Sequence, residues 1–339
     1  MPAVGQVHID QALTNISVMY RNETYVADQV FPIVPAAKRS DKYFLYKKED
    51  FLSSSPASGS GALASLRRPG TEAAEIDYSV STATYFAEEY SYRGLVTDAE
   101  SAIADNPMQP DIDQTIQLTE RLMLDNEISV AGIACKRANF PSSNKVALTG
   151  GGTGTSWAQY ASANSLPFNN IKDGKLAVIK GIGREANAFM LGVDTARTLA
   201  DHLNVKDLVK YVHADALTMS GLPKVVRGLS VIEAAGQKNT AVEGAAYTGA
   251  NIWQADDGTS CALIYYRNQN PTLRSVTFGY TFEAPDDTSR ARGYAVRRWR
   301  EEKRKGTMIE VSILRDWRLI AVDGSSLALG GYLISNATA

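Results

Sequence analysis

The first hundred residues alternate between amphipathic, proline-bound and extended stretches, and never gather the apolar mass of a domain core. Ile9, Leu13, Ile16 and Tyr20 fall near helical spacing. The run Val30-Phe31-Pro32-Ile33-Val34-Pro35 is extended, and two strand-like runs follow at Asp41–Phe51 and Glu75–Val96. In the second, Ile76, Tyr78, Val80, Thr82, Thr84, Phe86, Tyr90 and Tyr92 are expected to share one strand face. Two strands joined by a flexible tip are marginal alone in water and need another surface to lie on. Over a quarter of the chain is therefore expected to form arms that reach beyond their own globule, which points to assembly.

The 339 residues leave room for two domains, or one large domain with excursions. A net charge of −2 excludes a global basic field for coating nucleic acid. No apolar run approaches the roughly 20 residues that span a bilayer, and no signal-peptide pattern opens the chain. The two cysteines, Cys135 and Cys261, are far apart and lack a CxxC pattern. They are expected to behave as small buried apolar residues in a protein folded in a reducing cytoplasm.

Between the two strand-like runs, Ser53 to Pro69 is rich in Ser, Ala and Gly and is read as a hairpin tip that orders against a neighbour. After Pro107 and Pro110 the pattern turns helical to about Arg137, with Ile112, Ile116, Leu122, Met123, Ile128 and Cys135 among its apolar positions. Asp111 and Gln114 resemble a capping box at its start. Such a rod is roughly 40 Å long and can act as a spine for a sheet. From Leu166 helix and strand patterns mix. Helices are expected over Ile171–Ile182, Thr195–Leu203 and Val205–His213, and strands over Ala188–Val193, Val225–Glu233, Cys261–Tyr266 and Ser275–Phe282. The last strands are Thr307–Leu314, Arg318–Val322 and Ala328–Ile334, with a turn at Asp323-Gly324-Ser325. This order argues for an α+β fold rather than a doubly wound sheet.

Catalytic signatures are missing. His8, His202 and His213 do not pair at metal-ligand spacing, and there is no HExxH motif and no GxSxG elbow. The run Thr149–Thr155, TGGGTGT, lacks the Lys-Ser/Thr of a phosphate loop and reads as a glycine-rich surface loop. The densest charge cluster, Arg297 to Lys305, holds six basic and two acidic residues. It reads as a self-compensating strand end or loop in preference to a patch for phosphates.

Three segments then carry a resemblance: Leu13-Thr14-Asn15-Ile16-Ser17-Val18-Met19-Tyr20-Arg21-Asn22, Tyr25 to Pro35, and Ser40-Asp41-Lys42-Tyr43-Phe44. Over about residues 10 to 52 the chain resembles the opening of major capsid proteins of tailed bacteriophages; beyond that it shares their order of elements. The resemblance implies the Hong Kong 97-type fold. Residues 1–36 would be the N-terminal arm and 37–97 the extended β-hairpin, or E-loop. Residues 98–165 would hold the first part of the peripheral domain, with a spine helix at about 111–137. Residues 166–300 would form the axial domain, and 301–339 would return to the peripheral domain, the last strand rejoining the axial one. The implied function is self-assembly through hexamers and pentamers into an icosahedral shell around double-stranded DNA. Partners would be further copies, a portal, separate scaffolding or decoration proteins, and nonspecific DNA. No cofactor, metal or membrane is implied, and the protein would be made in the host cytoplasm and reside in the virion. The arm motif starts almost at Met1, so no N-terminal scaffold segment is expected, and no covalent cross-link is expected either.

The candidate contacts with neighbouring subunits are Tyr20, Arg21, Tyr25, Phe31, Lys47, Lys48, Arg67, Arg68, Tyr90, Arg298 and Arg300. Two other readings are a shell protein of an encapsulin-like nanocompartment and a ligand-binding α+β enzyme. If the tip serves assembly, deletion of Ser53–Pro69 leaves a soluble, folded subunit that fails to close shells. Circular dichroism combined with electron microscopy checks both halves of that expectation.

Overall fold

The computed structural model describes residues 8–9, 13–14, 17, 22, 24–45, 67, 69–70, 72, 81–104, 109–148, 155–160, 162–210, 217–218, 220–242, 244–270, 275–286 and 293–338. The N-terminal third contains β1 (His8–Ile9), α1 (Ala27–Val30), β2 (Ile33–Pro35), β3 (Ser40–Phe44), β4 (Thr82–Phe86), β5 (Glu88–Thr97), α2 (Asp98–Ile103) and α3 (Pro110–Ala134). The middle contains β6 (Lys145–Ala147), α4 (Pro167–Ile182), β7 (Ala188–Gly192), α5 (Val193–Asp201), α6 (Leu203–Val209), β8 (Val225–Val226), β9 (Leu229–Ala234), β10 (Gln237–Asn239), β11 (Gly249–Asn251) and β12 (Cys261–Tyr265). The chain ends with β13 (Gly279–Ala284), β14 (Ala295–Glu301), β15 (Gly306–Leu319) and β16 (Gly331–Ser335).

Two six-stranded sheets organise these elements. The first runs β1-β14-β15-β13-β2, with β5 pairing along the other side of β15; the second runs β6-β16-β12-β7-β9-β8. Both are mixed: β2/β13, β6/β16 and β7/β9 are parallel and the other pairs antiparallel. The expected α+β class is observed. In the second sheet β7, β12 and β16 are buried at every position. A strand covered on both faces reads as a continuous apolar run, and AFMLG and CALIY do so. On one face Phe189, Leu191, Ala262 and Ile264 meet Ile171, Val178 and Ile182 of α4. On the other, Ala188, Met190, Leu263 and Tyr265 share a core with Val130, Ala131 and Ala134 of α3. Helix α4 sits so close that a Cβ on Gly174 would lie 2.7 Å from Ile264 Cδ1. Gly183, at φ 68°, ends it in the left-handed region that glycine adopts without penalty.

The 25 residues of α3 extend about 37 Å and bridge both sheets. Leu118 and Leu122 pack with Val96, Val296, Ile309, Val311 and Ile313 on the first sheet, while the C-terminal half covers the second. Its start departs from the expected capping box. Gln109 is the N-cap without a side-chain bond, and Pro110, whose missing N–H would have gone unpaired in the first turn anyway, opens the helix. The capping box lies instead at α2, where Thr97 Oγ1 accepts from Glu100 N and Glu100 Oε2 accepts from Thr97 N.

Two further corrections follow. The expected separate strands at Thr307–Leu314 and Arg318–Val322 are one strand, β15. Arg315 does not break it, because Arg315 Nε and Nη2 both donate to Glu283 Oε2 of the paired strand, at 3.1 and 3.0 Å. In addition β13, within residues 166–300, pairs in the first sheet beside β15, and β16 pairs in the second beside β12.

Replacing Leu122, 3% exposed, with Asp places an unpaired charge between α3 and the first sheet. Loss of more than about 4 kcal/mol or insoluble expression is expected. Denaturant titration against the parent checks it.

Candidate intersubunit surfaces

A latch built on Glu127 fixes the segment Val26 to Ala36. α1 begins without a cap of its own, because Val26 at its N-cap has no side-chain acceptor. The carboxylate of Glu127, fully buried on α3, takes that place. Val26 N donates to Oε1 at 3.0 Å, Ala27 N to Oε2 at 2.8 Å and Trp253 Nε1 to Oε1 at 2.5 Å. Burial pushes the carboxyl up and the three N–H donors pull it back, with burial the larger influence. Around this centre Asn126 Nδ2 donates to Asp28 Oδ1, Trp317 Nε1 to Asn126 Oδ1, and Arg267 Nη1 to Gln29 O. β2 then joins β13 in parallel, and Ala36 N donates to Glu283 O. The inner end of the arm is therefore part of its own subunit's core.

The hairpin leaves that anchored base. Among the described residues β3 and β4 pair only with each other, from Ser40↔Phe86 to Phe44↔Thr82. Their inner face seats Tyr43 and Tyr85 on Phe282, with ring centroids 5.2 and 4.6 Å apart. The outer face carries Thr82, Thr84 and Phe86 with Phe44 across the ladder; Phe86 is 51% and Phe44 38% exposed. The even-numbered face expected from the alternation thus points to solvent in the single chain, and the face carrying Tyr85 and Ala87 points inward. The phase changes at Ala87, which separates β4 from β5, so Tyr90 and Phe86 do not belong to one continuous strand face.

Tyr20, Arg21, Lys47, Lys48 and Arg68, the tip apart from Arg67 and Pro69, Thr149–Gly154 of the glycine-rich run and His213 lie outside the described residues. Tyr25 is half-buried beside the latch and Arg67 is exposed. Phe31 is corrected as a contact with neighbours: it is 0% exposed, edge-on to Phe278 at 5.6 Å. Tyr90 is half-buried against Trp317, centroids 5.3 Å apart. Three arginines of the charged run meet acids of their own chain, most of them outside the run. Arg297 faces Asp286, Glu310 and Glu89, Arg298 faces Asp111, and Arg300 grips both carboxylate oxygens of Asp98 at 2.5 and 2.7 Å. That guanidinium holds the Asp98 carboxyl below its usual range. Glu127 was not among the sequence candidates. The signal was present, because Glu127 falls at helical spacing with the buried Thr115, Thr119 and Ala131 of α3.

Among the described residues no group of three or more His, Cys, Asp or Glu could hold a metal, and no helix is long and apolar enough to cross a membrane. The buried His202 meets Ser165 Oγ at 3.2 Å, yet the pair is arranged against nucleophilic chemistry. Asn204 N donates to His202 Nδ1, capping α6, so the ring proton sits on Nε2 and points at Ser165. Ser165 Oγ in turn donates to Ser156 O. A general base needs a free ring nitrogen facing the hydroxyl, and this one is already protonated.

No family model matches the chain. It is 26% identical over 275 residues to the major capsid protein of Burkholderia phage BcepMu, covering 80% of this chain and 82% of the relative. It is likewise 26% identical to the major capsid protein of Pseudomonas phage JBD67, covering 83% and 84%. In structure it matches a phage-related protein from Bordetella bronchiseptica RB50 with a TM-score of 0.69, 22% identity and 97% and 98% coverage. The capsid of cyanophage P-SCSP1u (0.55, 12% identity, 93% and 88% coverage) and the SrpI encapsulin of Synechococcus elongatus PCC 7942 (0.54, 11%, 93% and 88%) share the architecture almost equally. The fold is the Hong Kong 97 type. The chain is a homologue of phage major capsid proteins, and that relationship covers four-fifths of its length.

Burial holds the His202 imidazole below its ordinary value. The unfolded chain therefore takes up the proton first. The stability tied to neutral His202 is complete above about pH 6.5 and is lost as pH falls through the folded value. His202→Asn, which keeps a capping oxygen without titrating, is expected to lose less stability between about pH 7.5 and 5.5 than the parent. Denaturant midpoints at the two pH values measure this.

Proposed function

We propose that this protein is the shell subunit of a phage capsid, assembling through hexamers and pentamers into an icosahedral container for double-stranded DNA. The observation that carries the reading is the anchored base with its outward hairpin. A strand pair held at one end by Tyr43, Tyr85 and Phe282, with Phe44 and Phe86 exposed, has a second apolar face that none of the described residues buries. A neighbouring copy covers that face and satisfies the hairpin's edges. Capsid-protein relatives in sequence favour a genome container over an encapsulin-like cargo shell, which the fold alone leaves equally close.

In this reading residues up to 36 form the arm and 37–97 the E-loop. The first sheet with α3 is the peripheral domain, and the second sheet with α4 to α6 is the axial domain around the five-fold and six-fold positions. Tyr25, Arg67 and Tyr90, together with Tyr20, Arg21, Lys47, Lys48 and Arg68, remain contact candidates toward neighbours. Arg298 and Arg300 are committed to acids of their own subunit and add little. Contact with DNA is local, nonspecific and weak, since the whole chain carries a net charge of −2. Portal, scaffolding and decoration proteins are the other partners. Synthesis takes place in the host cytoplasm, and the assembled protein resides in the virion. The subunit has structural work and no catalytic step.

Negative-stain electron microscopy of the size-fractionated protein, alone and with candidate scaffolding proteins, is expected to show closed particles or hexamer sheets. Small monodisperse species under every condition would overturn the shell reading.

A further inference from the structure

The chain's two cysteines lie 126 residues apart in sequence and meet in the core. Cys135 Sγ and Cys261 Sγ are 3.3 Å apart, and both side chains are buried and unbridged. Cys135 caps the C-terminus of α3, and Cys261 opens β12 in the middle of the second sheet. The thiols form a short chain: Cys261 donates to Trp253 O at 3.4 Å, the same residue whose indole holds Glu127. A packed core made of small apolar groups has no need of two sulfurs in register. Two alanines or an alanine and a valine would fill such a place without a reactive group.

We infer that Cys135 and Cys261 form a disulfide site, closed by a peroxide-class oxidant small enough to enter a packed core. Bond formation requires the sulfurs to approach by about 1.3 Å, to a bond of roughly 2.05 Å, a shift within reach of two side-chain rotations. In the first step one sulfur, as thiolate, attacks a peroxide oxygen and the O–O bond breaks. This gives a sulfenic acid, and the departing hydroxide takes up the thiol proton as water. In the second step the neighbouring sulfur attacks the sulfenic sulfur, the S–O bond breaks, the S–S bond forms and a second water leaves. Two thiols and one hydrogen peroxide give one disulfide and two waters, the sulfurs supplying the two electrons.

The hydrogen bond with the Cys261 sulfur, and burial after it, push the Cys135 thiol well above its ordinary value, so the first step is slow in the closed fold. It proceeds through brief opening of the last turn of α3, which exposed Lys136 and a short 3-10 turn follow. Once formed, the bond joins the end of α3 to the second sheet across a long loop and restricts the unfolded chain. The site does not depend on assembly. If the protein is a shell subunit, the bond would form after release from the reducing cell and harden the particle.

The test incubates the full-length protein with hydrogen peroxide, in buffer and in urea below the unfolding transition. The product is alkylated under denaturing conditions and analysed by mass spectrometry and non-reducing peptide mapping. The expected product is a single chain lighter by two hydrogens, with Cys135 and Cys261 in one linked peptide pair. A midpoint of thermal unfolding several degrees higher, reversed by dithiothreitol, is expected with it. Cys135→Ala is expected to retain oxygen on Cys261 instead, because no sulfur is present to resolve the sulfenic acid. Two fully alkylatable thiols under both conditions, links between chains, or oxygen adducts on both cysteines of the parent would overturn the assignment.

Discussion

One buried carboxylate decides how far the arms can move relative to the body. Glu127, on α3, lies where that helix meets α1 and the Trp253 turn, and it accepts from Val26 N, Ala27 N and Trp253 Nε1. An ionised carboxyl out of water is tolerated only when its oxygens are matched by donors, and here the donors lie 100 and 126 residues from Glu127 in sequence. The carboxylate therefore does more than fill a hole. It ties the segment from Val26, the spine and the second sheet into one corner, from which the β3–β4 hairpin departs.

The same corner explains the distribution of apolar surface. Phe31 is spent inside, against Phe278, and β2 is stitched to β13. The hairpin leaves this base with one aromatic face docked on Phe282 and the other in water. A ladder of two strands gains too little from its own pairing to hold an extended shape. The docked tyrosines orient it, and the outer phenylalanines make covering by a second surface favourable. Each aromatic contact between neighbours is modest, but a closed shell repeats it at every subunit, so weak individual contacts suffice and remain correctable during growth.

Much of this was legible in the sequence where periodicity is long and unambiguous. The α3 rod, the fully apolar β7 and β12, and the amphipathic α4 were read from spacing, because tertiary burial there follows the pattern. The failures share a cause. The face of Thr82 to Tyr92 looked like one strand because alternation continues in letters across Ala87, while the backbone starts a new strand with a different partner. β15 looked like two strands because Arg315 and Asp316 are charged, and only Glu283 on β13 and the Phe86 N–H make those charges compatible with a central strand. Glu127 read as an ordinary polar helix residue because its donors are remote in sequence. The cysteines looked unrelated for the same reason.

Charge is handled in the opposite way from apolar surface. The arginines of β14 find acids on β5, α2, α3 and β15 within their own chain, and Arg315 finds Glu283. A subunit that must lie against many copies of itself gains from this. Unpaired like charges repeated by symmetry would face one another across every interface, and their repulsion would grow with the number of neighbours. Compensating these arginines within the subunit takes them out of the contacts between copies, where apolar and backbone groups do not repel their own kind. Closure then depends on the shape of the hairpin and on the corner at Glu127 more than on the arginines of β14.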